Sequence, residues 1–325
     1  MEIILIIAIL IAMLLLINMR YNKKMDSFLW SIRVFSHNTF IHEVPNDSIF
    51  IKPTLQASDI TDVIAELVAD PFLFIEGSDY YLFFEIYNKV TEKGEIGLAT
   101  SGDGENWSYQ KIILTEKFHL SYPQVFKFQN EFYMIPESIG ANKVLLYKAK
   151  NFPYQWEIAQ ELLSGKYVDP SIFQYKDKWW MFAATDGQLH LFYANNLQEN
   201  WTEHKQSPLI RNNIHITRPG GRIIVDDDLI YRYTQEGLPY YGHSVSLFKI
   251  TKLSEEHFEE EKVNTVLEGS NMDNDWRKDG MHHIDQIKLN DHQWLIAVDG
   301  HHIKKSHYFA WKLNRIMSKI QFSIR

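Results

Sequence analysis

Five short motifs place polar side chains at similar intervals along the chain. In the first four, the polar residue directly precedes a proline. The motifs begin at Asp70, Tyr122, Asp169, Arg218 and His283. Aspartate and histidine side chains can transfer protons, and an arginine can bind a phosphate or carboxylate through two hydrogen bonds. The five motifs are therefore candidates for one polar site, provided that the fold brings them together.

A second set of polar residues follows the first. Each motif opens an apolar strand, and a short turn leads to a second, aromatic-rich strand. In four of the five copies the second strand ends in a polar residue. These residues are Glu85, Glu137, Gln235 and Asp299. Because strands joined by a short turn run antiparallel, the end of the second strand returns to the start of the first. We therefore expect both sets at one end of the fold.

The repeat continues with a further strand pair. Its third strand precedes an aromatic residue in the first four copies, at Trp107, Trp156, Trp201 and Phe258. A four-stranded unit that recurs at roughly this interval is typical of a propeller blade. The sequence thus predicts an all-β fold, a five-bladed β-propeller over residues 68–325, and the aromatic content of 14% suits strands. A β-sandwich or jelly roll is the alternative, but neither explains five copies of one unit.

The candidate side chains also have structural interpretations. Asp-Pro sequences commonly start turns, so Asp70 or Asp169 alone could be a turn residue. Their recurrence at matched positions favours function. Glu137 could be a surface acid, and Arg218 could form a structural salt bridge with Asp169 or Asp285.

Two further motifs are open to more than one interpretation. Gly220-Gly221 could form a bulge that lets the backbone approach a ligand, or a simple distortion of the blade. His282 and His283 support a metal site only weakly, because adjacent strand residues point to opposite faces. We expect no metal and no other cofactor. The absence of cysteine excludes disulfides, thiolate ligands and a cysteine nucleophile.

The N-terminus carries an unbroken apolar run over residues 3–17. We interpret residues 1–24 as an uncleaved single-pass membrane anchor and residues 25–67 as a linker. A signal peptide is the alternative, but the run lacks a basic start and a small-residue cleavage site. Arg20, Lys23 and Lys24 follow the run, so the positive-inside rule places the globular domain on the cytoplasmic side of the cell membrane.

Residues 68–300 carry a set of motifs that is specific in combination. They are Ala69-Asp70-Pro71-Phe72, Leu82-Phe83-Phe84-Glu85, Ser121-Tyr122-Pro123, Met134-Ile135-Pro136-Glu137-Ser138, Val168-Asp169-Pro170, Arg218-Pro219-Gly220-Gly221-Arg222 and Gly280-Met281-His282-His283-Ile284-Asp285. In these motifs the chain resembles the N-terminal domain of glucosamine inositolphosphorylceramide transferases and its bacterial stand-alone homologues. In the plant enzymes a separate glycosyltransferase domain follows, and we expect no such domain within these 325 residues.

More distantly, the layout is similar to five-bladed arabinanases, xylosidases and invertases. That similarity implies that Asp70 acts as base or nucleophile and that Asp169 supports the transition state or a neighbouring pKa. Arg218 stands where those enzymes have a general-acid glutamate, and an arginine cannot donate that proton. Since glycoside hydrolysis normally requires two carboxyl groups, Glu137 or Glu85 would have to supply it from another direction.

The candidate catalytic residues are therefore Asp70, Asp169 and Glu137. The candidate substrate-binding residues are Glu85, Tyr122, Arg218, Arg222, Gln235, His283 and Asp285. The favoured hypothesis is a membrane-anchored, carbohydrate-active propeller that acts in glycosyl transfer or assembly of a cell-surface glycan or glycolipid. Its ligand would be a charged, activated or lipid-linked sugar. The alternatives are a glycoside hydrolase on an outward-facing anchor and a non-catalytic glycan-binding module serving a partner glycosyltransferase. The net charge of −8 and the absence of a basic stripe argue against a nucleic-acid partner.

Overall fold

The computed structural model describes residues 6, 9–13, 16, 18 and 22–324. Most of the predicted anchor, residues 1–24, lies outside the described residues. Within them, no helix combines the length and the apolar character that crossing a bilayer requires.

The described chain forms twenty-one β-strands in five antiparallel sheets. In chain order the strands are β1 (Lys24–His37), β2 (Ala65–Glu76), β3 (Asp79–Asn88), β4 (Lys93–Ser101), β5 (Ser108–Leu114), β6 (Ser121–Phe128), β7 (Glu131–Glu137), β8 (Lys143–Asn151), β9 (Gln155–Ser164), β10 (Val168–Tyr175), β11 (Lys178–Thr185), β12 (Gln188–Ala194), β13 (Thr202–Glu203), β14 (Ile210–Arg211), β15 (Arg218–Pro219), β16 (Ile224–Asp226), β17 (Leu229–Gln235), β18 (Ser244–Leu253), β19 (Phe258–Glu268), β20 (Ile284–Asn290) and β21 (Gln293–His307). The predicted all-β, five-bladed propeller is confirmed.

Each sheet is one blade. Blades one and two are the four-stranded sheets β2–β5 and β6–β9, and blades three and four are the five-stranded sheets β10–β14 and β15–β19. In blade four the inner strand is interrupted, since β15 and β16 both pair with β17. Blade five contains β20, β21 and β1. The repeats therefore correspond to blades, and their first strands lie nearest the axis, as a propeller requires.

Blade five is closed by the N-terminal part of the chain. Strand β1 pairs with β21 without a break, from Lys24 opposite His307 to His37 opposite Trp294. The first part of the predicted linker, residues 25–67, is therefore an integral strand of the propeller. Trp30, Ile32 and Val34 from this strand are buried. Pairing the first strand with the last ties the ring together, because it joins the two ends of the repeat array.

The inner strands of the first three blades share a local distortion. Asp70, Tyr122 and Asp169 have positive φ angles of 51°, 50° and 50°. The register with the neighbouring strand shifts at each of these places. Such a backbone conformation costs on the order of 1 kcal/mol or more for residues other than glycine, and it is concentrated at functional sites. Three matched copies of it mark one end of the propeller.

Apolar side chains fill the seams between blades. Between blades one and two, Phe83 and Leu98 pack with Val125 and Met134, all fully buried. Burying a side chain of this size stabilises the fold by roughly 1.5–3 kcal/mol. The seams therefore hold the inner strands rigidly around the axis, where their first residues meet.

One helix, α1 (Tyr308–Ile324), follows β21. The Tyr308 amide donates to the carbonyl oxygen of Lys23 at 2.9 Å. The helix therefore begins beside the start of β1. Residues 68–325 were predicted to be all propeller, but the structure ends this range with a helix.

Candidate functional site

The starts of the inner strands converge at one end of the axis, as their shared spacing predicts. The clearest link across blades joins Arg218 at the start of β15 to Asp169 at the start of β10. The guanidinium Nε donates to Asp169 Oδ2, and Nη2 lies 3.3 Å from Asp169 Oδ1. Although burial opposes its charge, Asp169 raises the pKa of Arg218 well above its usual value. Asp169 therefore already accepts from two of the five N–H donors of Arg218.

Gln235 completes this arrangement from the end of β17. Its Nε2 donates to Asp169 Oδ2 at 2.9 Å and to the Pro219 carbonyl oxygen at 2.7 Å. Its Oε1 is buried and without a hydrogen-bond partner. Residue 235 thus holds Asp169 from a second side and offers an acceptor to a bound molecule.

Glu137, at the end of β7, reaches the same cluster. Its Oε2 lies 3.5 Å from Arg218 Nη2 and has no hydrogen-bond partner, although the side chain is buried. Burial raises the pKa of Glu137 to about 8, and the charge of Asp169 contributes to the shift. Near neutral pH this group therefore carries a proton that it can donate.

Glu85, which lies within β3 opposite Ala69, is the second carboxyl group of this kind. Burial raises its pKa to about 8, and the charges of Asp299 and Asp169 add to the effect. Its Oε1 lies 3.4 Å from Nε2 of His119, a residue in the loop before β6. Burial lowers the pKa of His119, so a neutral imidazole faces a largely protonated carboxyl group at neutral pH.

Asp70 faces two histidines that precede β20. Its Oδ1 lies 3.6 Å from His282 Nε2 and 3.7 Å from His283 Nδ1, and this oxygen has no hydrogen-bond partner. Burial raises the pKa of Asp70 well above its usual value, and the nearby charges of Glu85 and Asp169 contribute. Burial lowers the pKa of His283 to about 4, so its ring is neutral.

Asp299 organises this part of the site. One carboxylate oxygen accepts from the Asp70 amide at 2.9 Å, and the other accepts from the His283 amide at 3.0 Å and lies 2.8 Å from His282 Nδ1. Although burial disfavours its charge, His282 lowers the pKa of Asp299. A buried anion with this many donors is a structural support, and it fixes the positions of Asp70 and His282.

Donor atoms of Asp70, His282 and Asp299 lie within 4.8 Å of one another, which is close enough to surround a metal ion. The oxygens of Asp299, however, already accept from backbone amides and face the His282 ring. Hydrogen bonds therefore account for Asp299 and for His282 Nδ1, whereas Asp70 Oδ1 has no hydrogen-bond partner.

Tyr122 forms the floor of the site. Its hydroxyl accepts from the Gly221 amide at 2.7 Å and lies 2.8 Å from the Ser171 hydroxyl. Its ring packs edge-on against His283, with 5.0 Å between centroids. This fully buried side chain of blade two therefore contacts blades three, four and five, and ligand access to it would require movement.

Gly221 allows two blades to approach closely. Its φ is +143°, and a Cβ there would lie 1.8 Å from the Ile284 carbonyl oxygen. The Ile284 amide also donates to the Gly220 carbonyl oxygen at 2.9 Å. Gly220 and Gly221 therefore let the backbone of blade four approach the backbone of blade five.

Arg222 and Asp285 lie deeper along the axis than the other candidates. Arg222 Nε donates to Asp285 Oδ1 at 2.8 Å, and Nη2 donates to the Leu73 carbonyl oxygen at 3.0 Å. Asp285 also accepts from the Leu73 amide at 2.7 Å. This pair crosses the middle of the propeller. Arg222 faces a cavity of about 480 Å³ that is lined by the far ends of the inner strands, opposite the mouth.

At the mouth, a cavity of about 300 Å³ lies between blades three and four. Arg218, Gln235 and Tyr241 line it, together with Lys166 and Ile214. The Arg218 guanidinium lies 4.9 Å from the centre of the Tyr241 ring. An aromatic face beside polar groups is a suitable surface for a sugar ring.

Four side chains at the mouth were not among the candidate catalytic or substrate-binding residues. Asp299 was expected at this end from the repeat, and it lies within β21. His282 was considered only as a weak metal ligand. His119 and Tyr241 lie in loops outside the repeated motif, so the repeat carried no signal for them.

Comparisons with known proteins agree with the resemblance. A family model described as glucosamine inositolphosphorylceramide transferase 1, N-terminal, matches residues 45–301. The transferase 1 proteins of Oryza sativa subsp. japonica and Arabidopsis thaliana are 37% and 34% identical over 247 and 256 residues. These alignments cover 73% and 75% of this chain but 33% and 34% of the relatives. The chain therefore spans about a third of the length of these curated relatives.

Among solved structures, the catalytic domain of an α-L-arabinofuranosidase from Coprinopsis cinerea is similar, with a TM-score of 0.54 at 13% identity. The match covers 85% of this chain and 97% of that domain. At this identity the likeness shows a shared fold alone. The family match, in contrast, covers most of the propeller and includes the inner strands of all five blades. The chain belongs to the family of the N-terminal domain of glucosamine inositolphosphorylceramide transferase 1.

Proposed function

We propose that the mouth of the propeller binds a sugar and that the protein acts in glycosyl transfer during assembly of a glycolipid or another cell-surface glycan. The observation that carries the proposal is the convergence of Asp70, Glu85, Glu137 and Asp169 around Arg218. Two of these acids have pKa values of about 8. Buried carboxyl groups with raised pKa values are typical of sites that exchange protons with a substrate.

The charge balance indicates the kind of sugar. Four carboxyl groups surround one guanidinium, and Asp169 occupies two nitrogens of that guanidinium. Asp169 leaves Nη1 and one hydrogen of Nη2 available, so an anion could also bind Arg218 without displacing Asp169. Because carboxyl groups outnumber cations at the mouth, we favour a ligand with hydroxyl groups or an ammonium group. The expectation that Arg218 recognises a charged, phosphorylated sugar stays a prediction. The relatives' names contain an amino sugar, glucosamine, which is the ligand that we favour.

Roles for individual residues follow from their protonation. Protonated Glu137 can donate to the oxygen of a leaving group, and Glu85 is the second candidate for this role. Asp70 has an unpartnered oxygen and can accept a proton from an attacking hydroxyl group. A positioned acid or base typically contributes about 10²–10⁴ in rate.

Anchoring and a partner transferase belong to the same proposal. The apolar run over residues 3–17 would hold the propeller at the cell membrane, with the domain on the cytoplasmic side. The relatives are about three times longer than the aligned region, so a second domain or partner could complete the transfer reaction. If that partner performed the bond-forming step alone, this propeller would present the sugar to it.

Hydrolysis is the second candidate function. The propeller shares its fold with an arabinofuranosidase, and Glu137 could act as the acid. Product analysis separates the two functions. A hydrolase releases free sugar from a glycoside in water, whereas a transferase forms a product only when an acceptor is present. A binding module forms no product in either case.

The test is calorimetric titration of the 325-residue chain with glucosamine, glucose and glucose 1-phosphate. We expect glucosamine to bind most tightly and glucose 1-phosphate most weakly. Glu85→Gln should weaken glucosamine binding, because a glutamine cannot lose a proton to pair with the ammonium group of the sugar. The matched control is Glu131→Gln, at the far end of β7 and paired with Lys148. Tighter binding of the phosphate than of glucosamine would refute the assignment of an acidic sugar site.

A further inference from the structure

Helix α1 carries an apolar stripe that faces away from the propeller. Leu313, Ile316, Met317 and Ile320 are 47–59% exposed. Their spacing of i, i+3, i+4 and i+7 places them on one face of the helix. Large apolar side chains on one exposed face usually mark a surface that contacts a partner or a membrane.

The opposite face of the helix is attached to blade one. Arg315 Nη2 lies 2.7 Å from Glu66 Oε2, and its guanidinium lies 4.6 Å from the centre of the Trp311 ring. Ser318, one turn further on, is buried. The helix is thus held in a fixed orientation, with its apolar stripe turned outward.

The charge of the helix limits what can cover the stripe. Tyr308–Ile324 contains Lys312, Arg315 and Lys319 and no acidic residue. Lys304 and Lys305 precede it on β21, and Lys24 lies on the paired strand at the same end of blade five. A basic helix with an apolar stripe is the pattern of a segment that lies in the interface of an anionic bilayer.

The position of the helix gives an independent reason to expect a membrane there. The Tyr308 amide donates to the Lys23 carbonyl oxygen, and the apolar run of the sequence ends at Ile17. The six Cα-to-Cα steps from Ile17 to Lys23 span at most roughly 20 Å even when the chain is fully extended. A bilayer that holds residues 3–17 would therefore lie next to α1.

We propose that α1 lies in the surface of an anionic membrane, with Leu313, Ile316, Met317 and Ile320 inserted among the lipids. Its lysines would remain at the level of the headgroups, as long basic side chains do. The helix would then be a second membrane contact, and together with the N-terminal segment it would fix the tilt of the propeller. This inference does not depend on which sugar the mouth binds.

The absence of cysteine from the chain makes a site-specific test direct. One cysteine is introduced at Ile316, and in a matched chain at Ile158, an equally exposed isoleucine on β9 of blade two. Each receives an environment-sensitive fluorophore, and each chain is reconstituted in phosphatidylcholine vesicles with or without phosphatidylglycerol. Both chains keep the N-terminal segment, so a difference between the labels reports the surroundings of α1.

We expect nitroxide lipids to quench the label at position 316 several-fold more than the label at 158, and phosphatidylglycerol to increase the difference. Equal quenching at the two positions would overturn the proposal. A label at 316 that is shielded from water but not quenched by lipid would overturn it as well, because protein would then cover the stripe. Spin–spin coupling between nitroxides at 316 would identify that cover as a second copy. Met317→Cys repeats the test if the label at 316 disturbs the fold.

Discussion

Replacing Glu137 by glutamine should stabilise the propeller at neutral and alkaline pH. Burial raises the pKa of Glu137 to about 8, from the 4.5 of an exposed glutamate. A group whose pKa is higher in the folded state binds its proton more tightly there, so it favours folding most below pH 4.5. Its contribution is lost as the pH rises from 4.5 to 8 and is constant above that. Glutamine has the same shape but no proton to lose.

The size of the effect follows from linkage. One pKa unit corresponds to about 1.4 kcal/mol, and at pH 7 the unfolded chain has released this proton whereas the folded chain retains it. The cost to the wild-type protein is then roughly 3 kcal/mol at pH 7, and it approaches roughly 5 kcal/mol at pH 9. Glu137→Gln should recover most of this, less what is lost through its poorer contact with Arg218.

The assay is chemical denaturation of both chains from pH 4 to pH 9. The free energies of unfolding should coincide near pH 4.5 and separate by about 2 kcal/mol or more at pH 8. Glu131→Gln, at the exposed end of the same strand, should follow the wild-type profile throughout. A constant difference between Glu137→Gln and wild type at all pH values would show that Glu137 does not hold its proton in the folded protein. In that case its role as an acid would also fail.

Three further predictions concern the parts that support the site. Gly221→Ala should destabilise the fold by about 3 kcal/mol or more in denaturation experiments, because its Cβ would meet the Ile284 carbonyl oxygen at 1.8 Å. Gly102→Ala, where a Cβ meets nothing within 4 Å, should change stability by less than about 1 kcal/mol. Trp30→Ala should cost roughly 3–5 kcal/mol and weaken sugar binding, since the buried indole stacks on His282 with 3.9 Å between centroids; unchanged binding would separate β1 from the site. Arg218→Lys should reduce sugar affinity roughly tenfold in calorimetry, because lysine keeps the charge but cannot hold Asp169 through two nitrogens, and an unaltered affinity would show that this contact does not shape the mouth.

The repeat explains why the fold was predictable. Strand period and turn positions are local properties, and five similar copies reinforce one another. The N-terminal strand was assigned to a linker because its partner, β21, lies about 270 residues away. A local signal existed, since Trp30, Ile32 and Val34 alternate with polar residues. It was a single short segment outside the repeat, however, and nothing nearby indicated its partner.

The site was predictable to the extent that position along a strand determines depth along the axis. Asp169 and Arg218 lie at the starts of inner strands, Asp70 lies at the register shift within β2, and all three are at the mouth. Arg222 lies four residues beyond Arg218, and at roughly 3.3 Å per residue it belongs to a lower level. Its salt bridge to the fully buried Asp285 follows from that depth. Arg218 and Arg222 were predicted to bind the same substrate because they belong to one sequence motif. The structure places Arg218 at the mouth and Arg222 deeper along the axis.

The arrangement of charges suggests why Arg218 occupies the position where similar propellers are expected to have an acid. With Asp70, Glu85, Glu137 and Asp169 already at the mouth, a fifth carboxyl group would raise the neighbouring pKa values further, and the four acids would have no cation beside them. Arg218 instead lowers the pKa of Glu137 and of Glu85, which burial and the other acids raise. The arginine thereby holds two protonated carboxyl groups near the pH at which they can both give up and regain a proton. Buried carboxyl groups with raised pKa values beside one cation are the arrangement expected of a site that exchanges protons with its ligand.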